Sequence, residues 1–346
     1  MLENAVRLRR TPLSILDLVP VLEGGTASDG LRRSLDLVQH AQRWGYRRYW
    51  VAEHHGMPGI ASSATAVVIG HLAAGTSTIR VGSGGIMLPN HAPMVIAEQF
   101  GTLESLFPGR IDLGLGRAPG TDRATMRALR RGPLLAGDEF PDLLSELQGY
   151  FRPDGADADE ERVRAYPAAG LSVPIWLLGS SDFSARLAGE QGLPFAFASH
   201  FSPQYTLPAL AIYRETFVPS EALEKPYAML GVNVVIADTD EEAQRLATSL
   251  LQQFLGIVRG RPMRLQPPVA VKDMEMRMTP QESALWRQRQ GTTFVGTKES
   301  VAEALEQFVA ATGPDELIVN SAIYDHSARL HSYEQLAALG NMQAAR

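Results

Sequence analysis

Short apolar runs of β type alternate with amphipathic helical patterns along the whole chain. The β-type runs cover residues 13–19, 47–51, 79–84, 111–115, 175–178, 195–198, 227–237 and 316–320. Helical spacing of apolar residues follows each run, and no second cluster of strands interrupts the alternation. Such a pattern predicts a parallel sheet with both faces covered. Eight units of this kind close most naturally into a (β/α)8 TIM barrel.

Two stretches are longer than ordinary connections of a barrel. Residues 152–170 are acidic and rich in glycine, alanine and proline, and they precede the fifth strand. Residues 256–291 follow the seventh strand, carry four prolines and contain a helical stretch at 280–289. We interpret both as functional insertions or partly ordered lids. The chain is thus predicted to form one barrel domain, 1–346, with two insertions.

The helix predicted at 63–74 is apolar almost all round, although an outer barrel helix normally shows one polar face to water. A covered helix is therefore expected. We favour a subunit contact, which implies a homodimer, and an intramolecular lid is the alternative.

Composition excludes several functional classes. The chain has 346 residues, 45% of them apolar, with a net charge of −6, and it lacks a dense lysine or arginine stripe that would bind nucleic acid. There are no cysteines, so disulfides, cysteine-based zinc sites and thiol catalysis are excluded. The N-terminus lacks an apolar core of signal-peptide length, and no run approaches the length of a membrane span. We expect a soluble cytoplasmic protein.

The segment Glu53-His54-His55 ends the second predicted strand. A carboxylate and two imidazoles cost free energy to bury, and the carboxyl ends of barrel strands are where active sites lie. An imidazole also titrates in the range that proton transfer requires. These three residues are therefore the candidate catalytic groups.

Three further strand ends carry candidate binding groups. Gly84-Gly85 permits a flat ligand to approach the backbone, although a tight turn alone would also explain it. Arg117 follows the fourth strand, where a guanidinium pairs with either a carboxylate or an anionic ligand. Ser180, Ser181 and Ser184 surround a helix start after the fifth strand, which is either a simple cap or an anion site. Taken together, the arginine and the helix start favour a phosphate site.

A metal site is the less favoured interpretation of the histidines. Glu53, His54, His55 and His91 could all supply ligands, but adjacent side chains on an extended segment point to opposite sides. No H-x-H or H-E-x-x-H spacing occurs. We predict no metal.

Four segments together resemble the bacterial luciferase-like, flavin-dependent monooxygenases (LLM-class flavin-dependent oxidoreductases). They are residues 52–55, 82–89, 109–117 and 179–186, which occur in the family's order and at its spacing. The resemblance covers about 13–341 and looks closest to the subgroup that reads Ile-Met-Leu-Pro-Asn-His after the third strand.

The resemblance implies a (β/α)8 barrel that takes reduced FMN as a substrate from a separate flavin reductase. By matching position, Arg117, Ser181 and Ser184 would hold the FMN phosphate, with Ser180 nearby. Gly84-Gly85 and Met87 would lie at the flavin ring, with a cis peptide bond between the glycines. His54 matches the family's catalytic histidine, flanked by Glu53 and His55.

Two departures from the family pattern qualify the expected chemistry. Gly116 stands where the luciferases have a cysteine, so light emission is not implied, and Ser180 stands where they have a carboxylate. The predicted function is an FMN-dependent monooxygenase acting with O2 on a small organic substrate. A deazaflavin (F420)-dependent dehydrogenase of the same fold and a non-catalytic flavin-binding protein are the alternatives.

Overall fold

The protein is described by a computed structural model that covers residues 7–118, 123–129, 139–153 and 163–340. Part of the predicted insertion at 152–170, residues 154–162, lies outside these ranges. Among the described residues, no helix is both long and apolar enough to cross a membrane.

The described strands are all parallel, and eight of them close a barrel. They are β1 (Leu13–Asp17), β2 (Arg48–Val51), β3 (Arg80–Met87), β4 (Ile111–Gly116), β5 (Ile175–Gly179), β6 (Phe195–Phe197), β7 (Ala228–Ile236), β8 (Thr293–Gly296) and β9 (Glu316–Asn320). Strands β1 to β7 pair in sequence, β7 pairs with β9, and β9 pairs with β1. The predicted (β/α)8 barrel is confirmed, and its eighth strand is β9.

Helices cover the outside of the barrel in the described part of the chain. They are α1 (Ala27–Trp44), α2 (Thr65–Ala74), α3 (Pro93–Leu106), α4 (Arg123–Leu129), α5 (Phe140–Phe151), α6 (Asp182–Glu190), α7 (Thr206–Thr216), α8 (Asp240–Val258), α9 (Val271–Arg277), α10 (Pro280–Arg289), α11 (Lys298–Thr312) and α12 (His326–Ala337). Several starts are fixed by side-chain caps. Thr26 and Asp29 form a capping box on α1, and Thr279 and Glu282 form one on α10.

Three elements differ from the sequence prediction: β8, the short helix α9 and the start of α12. Strand β8 was not predicted; it pairs with residues 233–236 of β7, beyond the short strand β6. Because β7 is much longer than β6, part of its edge would otherwise have no partner. The apolar pattern predicts the last helix around 332–340. In the structure this helix begins at His326, since the Asp325 carboxylate accepts a hydrogen bond from the Ala328 N–H at 2.8 Å.

The insertion at 256–291 is largely helical and is tied to the barrel. It contains α9 and α10, so the predicted helix at 280–289 is confirmed. Leu265 exchanges backbone hydrogen bonds of 2.9 Å with Val21 and Glu23 after β1. Within the insertion, Arg259 donates to the Glu282 carboxylate of α10 at 2.7 Å. The hydrogen bonds of Leu265 place the insertion beside the carboxyl end of β1.

The inside of the barrel has its own small core. Leu16, Trp50, Trp176, Met229 and Ile318 are buried there, and the two indoles meet edge to face at 5.2 Å. Side chains from several strands thus fill the barrel axis. This layer forms the floor beneath the candidate site.

The amino-terminal end of the barrel carries buried ion pairs. Arg48 donates to Asp112 at 2.7 Å and to Glu316 at 2.7 Å, and both carboxylates are fully buried. Each charge has a partner, which is the condition for tolerating charges in the interior. The buried charges at this end of the barrel are therefore explained by their contacts with one another.

Candidate active site

A cavity of about 260 Å³ opens at the carboxyl ends of the strands, directly above the inner core. Leu16, Trp50, Ala196 and Ile318 form its floor. The carboxyl end is where barrel active sites lie. All seven residues that sequence analysis proposed for cofactor binding line this cavity: Gly84, Gly85, Met87, Arg117, Ser180, Ser181 and Ser184.

One end of the cavity is rich in hydrogen-bond donors. Arg117 follows β4, and its guanidinium lies 4.3 Å from the centre of the Phe183 ring. Ser181 is the N-cap of α6, and no side-chain hydrogen bond caps that helix. In the first turn, the Phe183 N–H donates to the Asp182 carboxylate at 2.9 Å. The helix start, the serine hydroxyls and the guanidinium line one cavity, which is the composition of an anion site.

Ser184 is held at this end by the absence of a side chain at Gly179. A Cβ atom built on Gly179 would lie 1.7 Å from the Ser184 Oγ, so only glycine leaves room for the hydroxyl. Ser184 is buried and donates to the Ser181 carbonyl at 3.3 Å. That long hydrogen bond leaves the hydroxyl available to a ligand.

Gly84 and Gly85 form a flat wall of the cavity, and the peptide bond between them is cis, as the resemblance implies. A Cβ on Gly84 would lie 2.7 Å from the Leu16 Cδ1, and one on Gly85 would lie 2.8 Å from the Gly114 carbonyl oxygen. A side chain at either position would collide with its neighbours. The close approach of β3 to β4 therefore requires glycine at position 85, and Gly84 leaves room for the side chains of Leu16 and Trp50.

Glu53 lies behind the cavity wall and joins two strand ends. Its buried carboxylate accepts hydrogen bonds at 2.8 Å from the Nε2 atoms of both His55 and His91 on Oε1. Its Oε2 accepts from the Met87 N–H at 3.0 Å. Burial alone would raise the pKa of Glu53, but these hydrogen bonds and the His91 charge hold it below its usual range.

His54 and His55 have different surroundings, as adjacent positions on an extended segment predict. His54 lines the cavity, whereas His55 turns back to Glu53. Of the three candidate catalytic residues, the structure thus brings only His54 to the cavity with the seven predicted binding residues.

The ligand atoms of Glu53, His55 and His91 lie within 4.8 Å of one another, a spacing that a metal ion could use. Two imidazoles and one carboxylate suit a divalent transition metal. In this structure both imidazoles hydrogen-bond to the same carboxylate oxygen, so the three groups already satisfy one another. His54, the fourth ligand considered from the sequence, faces the cavity instead.

His200 was missed by the sequence analysis. It follows β6 and lines the cavity, and its buried Nδ1 lies beside Gly231 without a hydrogen bond of good geometry. Burial lowers its pKa to about 4, although the Gly231 backbone opposes this shift, so the imidazole is neutral at pH 7. A histidine just beyond a barrel strand was a signal available in the sequence.

Two solved structures share the fold at low sequence identity. A type II Baeyer–Villiger monooxygenase in complex with FMN, from Pseudomonas putida, has a TM-score of 0.72 at 20% identity and covers 95% of this chain and 97% of its own. An F420-dependent secondary alcohol dehydrogenase has a TM-score of 0.71 at 13% identity and covers 95% of this chain and 99% of its own. At identities this low, the comparison shows a shared fold and nothing about function.

Closer relatives place the chain in a family. The model of the luciferase-like monooxygenase family matches residues 12–316. A luciferase-like monooxygenase of Escherichia coli (strain K12) is 50% identical over 93% of this chain and 94% of that protein. The N-acetyl-S-alkylcysteine monooxygenase of Bacillus subtilis (strain 168) is 33% identical over 94% and 97%. The crystal structure of apo-MsnO8 has a TM-score of 0.86 at 36% identity, covering 95% and 98%. The chain belongs to the luciferase-like monooxygenase family and is an enzyme with monooxygenase activity.

Proposed function

We propose that the protein is a two-component, FMN-dependent monooxygenase that receives reduced FMN from a separate flavin reductase and oxygenates a small organic substrate with O2. The observation that carries this proposal is one apolar cavity with an anion site at one end and His54 on its wall. A phosphorylated flat cofactor needs this combination of surfaces.

Arg117 and the start of α6 would hold the FMN phosphate. Among the residues that the structure describes, no carboxylate lies within ion-pair distance of Arg117, which rests on the Phe183 ring. An arginine without an acidic partner is available for a bidentate contact with a phosphate. Ser180, Ser181 and Ser184 would add hydroxyl and backbone donors to the same group.

The ring of the flavin would lie in the apolar part of the cavity. Gly84-Gly85 offers a flat surface, and Met87, Leu178 and the Trp50 side chain of the floor make the surrounding lining apolar. When bound, the reduced cofactor supplies the electrons with which O2 is activated, so that one oxygen atom enters the substrate and the other leaves as water. The apolar lining favours this outcome because it disfavours water beside the reacting atoms.

His54 is proposed to donate or accept a proton within the cavity. An imidazole is suited to this role near neutral pH. Glu53 and His55 would act from behind the wall as positioning residues, since the Glu53 carboxylate fixes both His55 and the backbone of Met87. The B. subtilis relative is named for oxygenation of an S-alkyl cysteine derivative, and we propose a thioether of similar size as the first substrate to test.

Reduced FMN and reduced deazaflavin discriminate between monooxygenase and dehydrogenase chemistry. The protein would be mixed anaerobically with each reduced cofactor, a thioether panel would be added, and O2 would be supplied as ¹⁸O2. We expect ¹⁸O in the product with reduced FMN and none with the deazaflavin. Substrate turnover with the deazaflavin in the absence of O2 would establish the dehydrogenase instead.

Replacing Arg117 tests the phosphate site. Arg117→Ala removes a charge-assisted contact worth about 1.5–3 kcal/mol, which corresponds to about a ten- to hundredfold loss of FMN affinity. Riboflavin lacks the phosphate, so its affinity should hardly change. Equal losses for FMN and riboflavin in fluorescence titrations would contradict the assignment.

We also propose a homodimer formed through α2 and its neighbour α3. Val67 on α2 is 73% exposed, and Leu106 on α3 is 64% exposed, so apolar side chains face outward from both helices. Covering them in a second copy would bury this surface. Sedimentation should give a dimer for the wild type and a smaller species for Val67→Glu.

A further inference from the structure

Arg289 is a half-buried cation that packs against Phe201, a residue of the active-site cavity. It is the last residue of α10 in the second insertion. Its guanidinium lies 4.5 Å from the centre of the Phe254 ring and 5.4 Å from that of Phe201. Phe201 and its neighbour His200 both line the cavity. The insertion thus brings a positive charge to the wall formed after β6.

This charge lacks an acidic partner within the described part of the chain. No described carboxylate lies within the 4.0 Å ion-pair distance of Arg289, whereas Arg259, near the other end of the insertion, is paired with Glu282. Burial lowers the pKa of Arg289 because the charged guanidinium loses hydration. An aromatic contact offsets only part of that cost, so a bound anion would stabilise the guanidinium.

Arg289 and Arg117 are associated with different walls of the cavity. Arg117 follows β4, whereas Phe201, the ring beneath Arg289, follows β6. Arg117 is accompanied by serine hydroxyls and a helix start, which suit the several oxygens of a phosphate. Arg289 has no such companions and has instead the neutral imidazole of His200 close by. A planar guanidinium with one neutral hydrogen-bonding group matches a carboxylate, which has two coplanar oxygens.

We propose that Arg289 binds the carboxylate of the organic substrate, with His200 as a second hydrogen-bonding group, so that the enzyme acts on small carboxylic acids with an apolar body. The inference rests on the proposed function, because it takes Arg117 as the flavin-phosphate group. His54 follows β2 and His200 follows β6, four strands away in the eight-stranded barrel. A substrate anchored beside His200 would therefore reach across the cavity towards His54.

The test compares carboxylic acids with their uncharged amides. Hexanoate, benzoate and 4-phenylbutanoate, each with its amide, would be titrated by calorimetry into the FMN-saturated wild type and variants. We expect the wild type to bind at least one acid about tenfold more tightly than its amide. Arg289→Gln should abolish this preference, and Arg289→Lys should retain part of it.

Arg287→Gln is the matched control, since Arg287 is an exposed arginine of the same helix. It should keep the preference for the acid, and all variants should keep the FMN affinity of the wild type. Equal binding of acid and amide for every pair in the wild type, or an unchanged preference in Arg289→Gln, would overturn the proposal. If FMN fails to bind, the same titrations are run without it; a preference for the acid that depends on Arg289 then leaves this site standing and refutes the FMN proposal alone.

Discussion

Gly179→Ala should weaken the proposed phosphate site by displacing the Ser184 hydroxyl. The new Cβ would lie 1.7 Å from the Ser184 Oγ and 2.5 Å from the Ser184 Cβ. Rotating the hydroxyl relieves only the first contact, so the start of α6 must also shift. Such overpacking costs about 1–3 kcal/mol of stability. Loss of one hydrogen bond to a charged phosphate costs about 1.5–3 kcal/mol, or about a ten- to hundredfold loss of FMN affinity.

The assay is a pair of fluorescence titrations, with FMN and with riboflavin, for Gly179→Ala, Ser184→Ala and the double variant. FMN affinity should fall in both single variants, and riboflavin affinity should change little. Because the alanine acts by moving Ser184, the double variant should be no weaker than the poorer single variant. Gly291→Ala is the control, since a Cβ at Gly291 would meet no atom within 4 Å.

Additive losses in the double variant would show that Gly179 and Ser184 act independently, which would refute the steric argument. A riboflavin loss as large as the FMN loss would place the damage at the ring rather than at the phosphate. Thermal unfolding of each variant separates a local shift of α6 from general destabilisation.

Three further predictions concern catalysis, stability and motion. His54→Ala should leave FMN affinity nearly intact and reduce turnover about 10²–10⁴-fold. His55→Ala should reduce turnover less, because His55 faces Glu53. Equal losses of turnover in the two variants would contradict this distinction. Burial alone would raise the pKa of Asp17, but the Arg329 guanidinium and hydrogen bonds from neighbouring hydroxyls hold this pKa below its usual range. The contribution of Asp17 to stability is therefore present above about pH 4 and is lost as the pH falls through the lowered pKa. Asp17→Ala should accordingly cost roughly 3–5 kcal/mol at pH 7 and progressively less in acid, and urea unfolding that shows no dependence on pH would refute the linkage. Limited proteolysis should cut the insertion at 256–291 more slowly with saturating reduced FMN, and an unchanged rate would count against its closure over the cavity.

The barrel was predictable because its signal is local and repeated. The spacing of apolar residues and the residue composition of each run predicted all eight barrel strands. Strand β9 agrees with the predicted bounds 316–320. Strand β8 was missed because its pairing depends on the unpaired edge of β7, which is 57 residues away or more. The early start of α12 depends on the single cap at Asp325, which the apolar pattern does not reveal.

The candidate site was predictable where its residues directly follow barrel strands in the sequence. Arg117, Ser181 and Ser184 could be placed together because neighbouring strand ends meet at one rim of a barrel. The partnership of Glu53 with His91 depends on how the end of β3 folds back, which spacing alone does not give. The position of Arg289 depends on the path of a 36-residue insertion, so its approach to Phe201 required the three-dimensional structure.

The pairing of β8 with β7 affects how this enzyme can diverge. Because β8 is hydrogen-bonded beside the barrel strand, the segment between α8 and β8 begins and ends at fixed points. Its length and sequence can change without altering the register of β7 with β9. The groups proposed for the phosphate lie on other loops, after β4 and β5. If this segment faces the substrate as proposed, variation can exchange it while the loops proposed to hold the cofactor stay constant. Chimeras joined at Val258 and Thr293 would test this in the laboratory.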